Sequence, residues 1–219
     1  MAARNTKGAQ VCMTKDAATG INETANITAV GASKPATLTG TGFTAAVNSV
    51  IEIKDSGNSK IDGVWIVGVG STATSIVLAG TDNTGGGTTF DKTGGSAKAY
   101  ANADMVCLCL SEFSISRDSG GSISTATFCD PSASVPSVVV SAGTVSIGGY
   151  IDSAASDYQE VVTADNDGKT RDFRVTLPGN GHLMFRGIIN GMSYQVPVDG
   201  AQSWTAQISL SSAPRHLYV

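Results

Sequence analysis

Asp172-Phe173-Arg174-Val175-Thr176-Leu177, then Pro178-Gly179-Asn180-Gly181, then His182 through Ile189, is the stretch that decides the fold. Phe173, Val175 and Leu177 alternate with polar partners, the period-two signature of a strand with one buried face. The Pro-Gly-Asn-Gly run is a strong turn signal, so His182–Ile189 returns as the partner strand of a hairpin. Trp204-Thr205-Ala206-Gln207-Ile208-Ser209-Leu210 repeats the pattern, with Trp204, Ala206, Ile208 and Leu210 on one face. Upstream, residues 105–116, 137–140 and 144–151 also read as strands.

One helix interrupts the period of two. Ala154, Ala155, Tyr158, Val161 and Val162 form a helical stripe between residues 153 and 165. Ser156 and Gln159 have capping-box spacing, and Asp157 and Glu160 suit the positive end of a helix dipole. Asn166 and Gly168 supply the stop. The expected fold class is mainly β: a β-sandwich or open barrel with one short helix.

Residues 22–104 have a different texture. Short β segments (36–39, 50–53, 64–69, 75–78 and 97–100) alternate with Gly-rich connections such as Thr84-Gly85-Gly86-Gly87, read as a flexible hairpin tip. Trp65 is the candidate anchor of a small core. The division that follows is one domain from residues 1–21 and 105–219, with 22–104 as an inserted all-β module.

Composition narrows the function. Charged residues make up 15% of the 219 positions and the net charge is −4, against roughly 25% charged in ordinary soluble domains. A surface that is to be covered by copies of itself needs little charge; a secreted β-sandwich with a Ser/Thr surface has the same composition. Nothing points to general attraction to nucleic acid or an acidic membrane. No apolar run approaches the roughly 20 residues of a spanning helix, and the first residues lack the apolar core of a secretory signal. That reading makes Cys12, Cys107, Cys109 and Cys129 reduced, buried thiols, with Cys107 and Cys109 on one face of a strand.

The residues of catalysis are sparse. His182 follows a turn and His216 follows Pro214, neither at nucleophile or metal spacing from a partner. Asp165-Asn166-Asp167-Gly168 looks like the front of a calcium loop but has Thr176 where the loop needs glutamate, so it reads as a helix stop. The expectation is no enzyme, no cofactor and no metal.

The order of elements resembles the major tail tube proteins of long-tailed bacteriophages. Thr6-Lys7-Gly8-Ala9-Gln10-Val11 is similar to that family's first strand, and Gly148-Gly149-Tyr150-Ile151-Asp152 to the segment before its single helix. Ser156–Ala164 then matches the helix, Arg171–Leu177 with its turn the following strand, and Trp204–Leu210 the closing strand. The insert resembles small β modules of other phage virion proteins through Ile61-Asp62-Gly63-Val64-Trp65 and Leu78-Ala79-Gly80-Thr81-Asp82.

The resemblance implies a structural virion protein, assembled in the host cytoplasm. Six copies close a ring, and rings stack around a tape measure protein between terminator and initiator proteins. Phage DNA passes through the lumen without specific binding, the chain does not bind membrane, and the insert sits on the outer tube surface. Read from the residues, Lys7, Asp152, Asp157, Glu160, Arg171, Arg174 and Arg186 are the candidate subunit-interface residues; the arginines are either solvated strand charges or salt-bridged to acids of the next subunit such as Asp152, Asp157 or Glu160. Two other readings compete: a secretion-system-type tube ring protein, and a β-rich adhesive or carbohydrate-binding module.

Overall fold

The computed structural model describes residues 9–16, 18–116, 122–124, 134–136, 143–178 and 181–218. In chain order the strands are β1 (Gln10–Thr14), β2 (Ile21–Asn22), β3 (Ile27–Val30), β4 (Ala36–Gly40), β5 (Val50–Lys54), β6 (Gly63–Val67), β7 (Ser75–Ala79) and β8 (Ser96–Tyr100). They continue as β9 (Met105–Leu108), β10 (Glu112–Ser116), β11 (Ser122–Ser124), β12 (Ser134–Pro136) and β13 (Thr144–Tyr150). Helix α1 (Ser156–Asp167) precedes β14 (Thr170–Leu177), β15 (Gly181–Gln195), β16 (Ser203–Leu210) and β17 (Arg215–Tyr218). Among the described residues the chain is mainly β with one α-helix, in keeping with its periodicity. The expected strand at 137–140 and the turn residues Gly179 and Asn180 lie outside the described residues.

An antiparallel sheet runs β10-β13-β16-β15-β14-β1-β9, with β17 also paired to β15. β15 is the pivot. Its first half pairs with β14 on one side and β17 on the other, and its second half pairs with β16. The sheet therefore curls into two half-sheets that face each other across one core. Val11, Met13, Phe173, Val175, Leu183 and Phe185 come from one half, and Val145, Ile147, Ala206 and Ile208 from the other. Phe173 and Phe185 are register partners and stack, ring centroids 5.0 Å apart; full burial of each is worth about 1.5–3 kcal/mol.

Helix α1 adds Val161 and Ala164 to this core. It starts three residues later than the stripe suggested, with Ala155 rather than a hydroxyl residue as its cap, and the expected Ser156 capping box does not form. Gln159 donates instead to the Ser153 carbonyl, at 2.9 Å. Gly168, at φ +60°, ends the helix in the left-handed conformation that glycine adopts without strain.

The second sheet, β2-β8-β5-β6-β7-β4-β3, is drawn wholly from residues between Ile21 and Tyr100. Its buried side chains form one cluster around Ile51, Ile53, Ile61, Trp65, Ile66 and Leu78, so the sheet rolls about a single core. Buried Glu23 is satisfied by the amides of Thr44 and Ala45, the Thr44 hydroxyl and the Asn26 amide. The Gly85–Gly87 tip is tied down, because Asn58 and Asn83 both donate to the Gly87 carbonyl, at 2.9 and 3.1 Å.

The core of the second sheet extends onto the first. Cys12, Met105, Met184 and Leu217 belong to the same buried cluster, on the face of β1, β9, β15 and β17 opposite the sandwich core. Gly63 (φ +137°) and Gly80 (φ +75°) permit this approach: a Cβ would meet Arg215 at 2.9 Å and Leu217 at 2.7 Å. Arg215 stacks 4.3 Å above the Trp65 ring and donates to the Asp62 carbonyl at 2.7 Å.

The cysteines differ from expectation. Cys12 and Cys107 are register partners on β1 and β9 and form a disulfide. Residues 105–116 are not one strand but two, so Cys109 lies past the end of β9, exposed and free. Cys129 lies outside the described residues.

Candidate functional site

The second half of β15 with β16, β13 and β10 forms a four-stranded sheet of unusual chemistry. Alternation sends Ile189, Trp204, Ala206, Ile208, Val145 and Ile147 inward. The outward side chains line up in rows fixed by register: Ser114–Ser146–Gln207–Asn190, and Ser116–Thr144–Ser209 beside it. Asn190 donates to the Ser209 hydroxyl at 2.9 Å, and the Ser193 and Thr205 hydroxyls share a bond of 2.8 Å. Glu112 is the one charged side chain that these four strands contribute to the face. Apart from Glu112 and the half-buried Ile188 opposite Ser209, the outward side chains of these rows end in hydroxyls or amides, which stay hydrated without charge.

Both lateral edges of this four-stranded sheet are free among the described residues. β10 pairs only with β13, and β15 beyond Ile188 pairs only with β16. Open edges of this kind are templates for another chain. The β15–β16 hairpin then projects past the bulge between Asn190 and Ser193, exposing Tyr194, Val196 and Val198.

The other half-sheet carries the second β-sheet on its outer face, held by a polar junction. Arg186 lies between Glu52 and Asp172, 3.1 Å from the latter's Oδ1, and Lys54 is 2.8 Å from Glu52. Arg174 donates to the Asn48 carbonyl at 2.9 Å and to Asn102 Oδ1 at 3.0 Å. Burial pushes both guanidinium groups below their ordinary values. The Arg186 Nε contact to Asp172 lacks hydrogen-bond alignment. Burial therefore dominates, and the Asp172 carboxyl is pushed up to about 7, with Lys54 pulling weakly the other way.

The candidate interface residues fall in several places. Arg174 and Arg186 meet groups of the second sheet. Arg171, 4% exposed, is paired with Asp16 at 3.1 Å and with Asp167 at 2.5 Å. Asp157 accepts the Cys109 amide at 2.8 Å, Glu160 the Asp16 amide at 3.2 Å, and Asp152 the Ala154 amide at 3.1 Å. Lys7 lies outside the described residues. The sequence reading missed Glu52, whose burial follows from the β5 pattern Val50–Lys54 being covered on both faces. It also missed the free edges, which appear only once the pairing is known.

Among the described residues no group of three or more His, Cys, Asp or Glu side chains could hold a metal ion, and no helix is long and apolar enough to cross a membrane. No protein-family model and no curated protein matches the chain. Among solved structures, it is similar to a chain in the tail of an empty gene transfer agent particle. The identity is 18% and the TM-score 0.38, over 48% of this chain and 80% of that one. It is also similar to a chain in the virion of a native gene transfer agent particle, at 17% identity and TM-score 0.39, over 53% of this chain and 91% of that one.

Proposed function

We propose that this chain is a structural subunit of a phage-type tail tube, joining copies of itself into stacked rings that enclose a DNA channel. The observation that carries the reading is the four-stranded sheet with two free edges and an outward face of hydroxyls and amides. Its strands alternate in direction and are even in number. A copy placed head to tail therefore meets the β10 edge with its own free β15 segment in antiparallel orientation. Repetition of that unlike-to-unlike joint around an axis closes a ring, and closure removes the edges that threaten a monomer with uncontrolled aggregation.

The hydroxyl and amide face then becomes the channel wall. A wall rich in lysine would bind phosphates by counterion release and hold the polymer in place; a neutral wall with one carboxylate row lets it slide. The segment 22–104 packs on the other half-sheet, and in this reading it lies on the outer surface of the tube. A tape measure protein inside and terminator and initiator proteins at the ends are the partners this assembly requires, and the virion is its location. Asp152, exposed ahead of α1, and Glu160, half-buried within it, remain candidates for contacts between copies.

The test joins edge to edge. Ser114→Cys combined with Asn190→Cys, in a background in which Cys109 and Cys129 are both replaced by serine, should give an oxidant-dependent ladder of covalent oligomers ending at the ring size. Each single variant should give no ladder, and negative-stain microscopy should show rings or tubes of one diameter. A monomer at all concentrations, or a ladder formed equally by the single variants, would remove the edge-to-edge ring.

A further inference from the structure

Where the ends of β13 and β16 meet the start of α1, side chains enclose a pocket of about 190 Å³ lined by Tyr150, Tyr158, Trp204, Asp152, Asp157 and Cys109. Trp204, 3% exposed, is anchored by its indole N–H, which donates to the Tyr150 carbonyl at 3.2 Å. The Tyr158 ring lies 6.3 Å from it, tilted by 52°. Tyr150, 65% exposed, stands at the rim. The two carboxylates are positioned by backbone: Asp157 Oδ2 by the Cys109 amide and Asp152 Oδ1 by the Ala154 amide. Among the described residues, no donor engages their second oxygens.

The chemistry of this pocket is one-sided. Three aromatic rings and two carboxylates converge with no cation among them. Aromatic faces attract positive groups through their quadrupole, and carboxylates do so by charge. The positive end of α1 opposes this, but Asp157 sits in its first turn and offsets it. Among the described residues no cation is at hand. Every described arginine and every described lysine except Lys98 is engaged elsewhere, in the contacts of Lys15, Lys34, Lys54, Lys60, Lys92 and Lys169 as in those of the arginines. Lys98 lies on β8 of the second sheet. The volume is below the roughly 300–1,000 Å³ of small-molecule sites, which suits a head group and not a whole ligand.

We propose that this pocket is a socket for one guanidinium or alkylammonium group, presented by a side chain of a second copy or by a free amine. Binding of the group by a single chain does not depend on the ring reading above. The test is NMR titration of the full chain with N-acetylarginine amide and with propylamine, following the Trp204 indole N–H and the Cys109 amide. The uncharged N-acetylcitrulline amide is the control. The expected result is saturable shifts with both cations and none with citrulline, weakened about threefold by Tyr150→Ala and similarly by Asp152→Asn. Both residues are on the surface, so the variants keep the fold, which the remaining spectrum checks. Equal shifts with citrulline, no saturable shift, or shifts unchanged in both variants would overturn the socket. A saturating cation that blocks self-association identifies the guest as a side chain of another copy. Binding that leaves self-association intact identifies it as a free amine.

Discussion

Breaking the Cys12–Cys107 disulfide should cost the protein several kcal/mol without changing its native contacts. The two cysteines are 95 residues apart in sequence, so the bond closes nearly half the chain into one ring in the unfolded state. The chain-entropy relation gives about 4.7 kcal/mol for a loop of this length, and measured effects are commonly about 2–4 kcal/mol. Cys12 is fully buried, so serine substitution would add the cost of a buried hydroxyl. Reduction of the native protein isolates the loop term. The assay is urea unfolding of oxidised and reduced protein, followed in parallel by circular dichroism and tryptophan fluorescence, with thiol titration before each series. At a urea slope of about 1–3 kcal/mol per M, a loss of about 3 kcal/mol lowers the midpoint by roughly 1–3 M. The slope itself should steepen, because the reduced unfolded chain exposes more surface. Unfolding free energies within about 0.5 kcal/mol of each other, with the thiols shown to be reduced, would refute the reasoning.

Three further outcomes follow from the junction and the wall. Asp172 holds its proton to about pH 7 when folded, whereas the unfolded carboxyl releases it near 3.9. The folded chain therefore binds more protons between these values, and stability should fall as pH rises from about 4 to 7 and then level. Asp172→Asn should flatten that slope in urea midpoints measured across the same range; an unchanged slope would exonerate Asp172. Arg186→Met should destabilise by about 3 kcal/mol at pH 8, the lower end for breaking a buried pair, because Lys54 still faces Glu52; thermal unfolding reads it. Gln207→Lys, on the exposed face, should leave stability within about 0.5 kcal/mol but add salt-dependent DNA retention, with a slope near 0.9 per phosphate contacted, seen by gel shift of the assembled protein.

The parts of the fold that were legible in the sequence are those whose cause is local. β14 and β16 announce themselves because alternation of Phe173, Val175, Ala206 and Ile208 with polar neighbours has no other periodic reading, and the turn after β14 gives β15 as far as Ile189 but not its continuation to Gln195. The helix stop at Gly168 is equally local. β2, β3 and β17 were not legible, since two to four residues are too few for a period to show. The break between β9 and β10 was hidden because Cys109-Leu110-Ser111 continues the apolar run. The true partners of Arg174 and Arg186 were invisible for another reason. Asn48 and Glu52 precede them by more than a hundred residues, and only the packing of the second sheet brings them together. The hydroxyl face was present in the letters, as Ser and Thr on alternate positions, but its meaning depends on which edges stay unpaired.

The disulfide also marks a doorway. Thr14 and Met105 face each other at the end of the β1–β9 ladder, so the chain leaves and re-enters the sandwich at neighbouring points. A folded unit whose own ends lie one strand spacing apart could be exchanged here, provided that it also covers Met184 and Leu217 and meets Arg215 as the second sheet does. A short turn in its place would leave the sandwich core of Phe173, Phe185 and Trp204 untouched. The position is thus a graft point, from which a lineage or an engineer could change what the sandwich carries while keeping what holds it together.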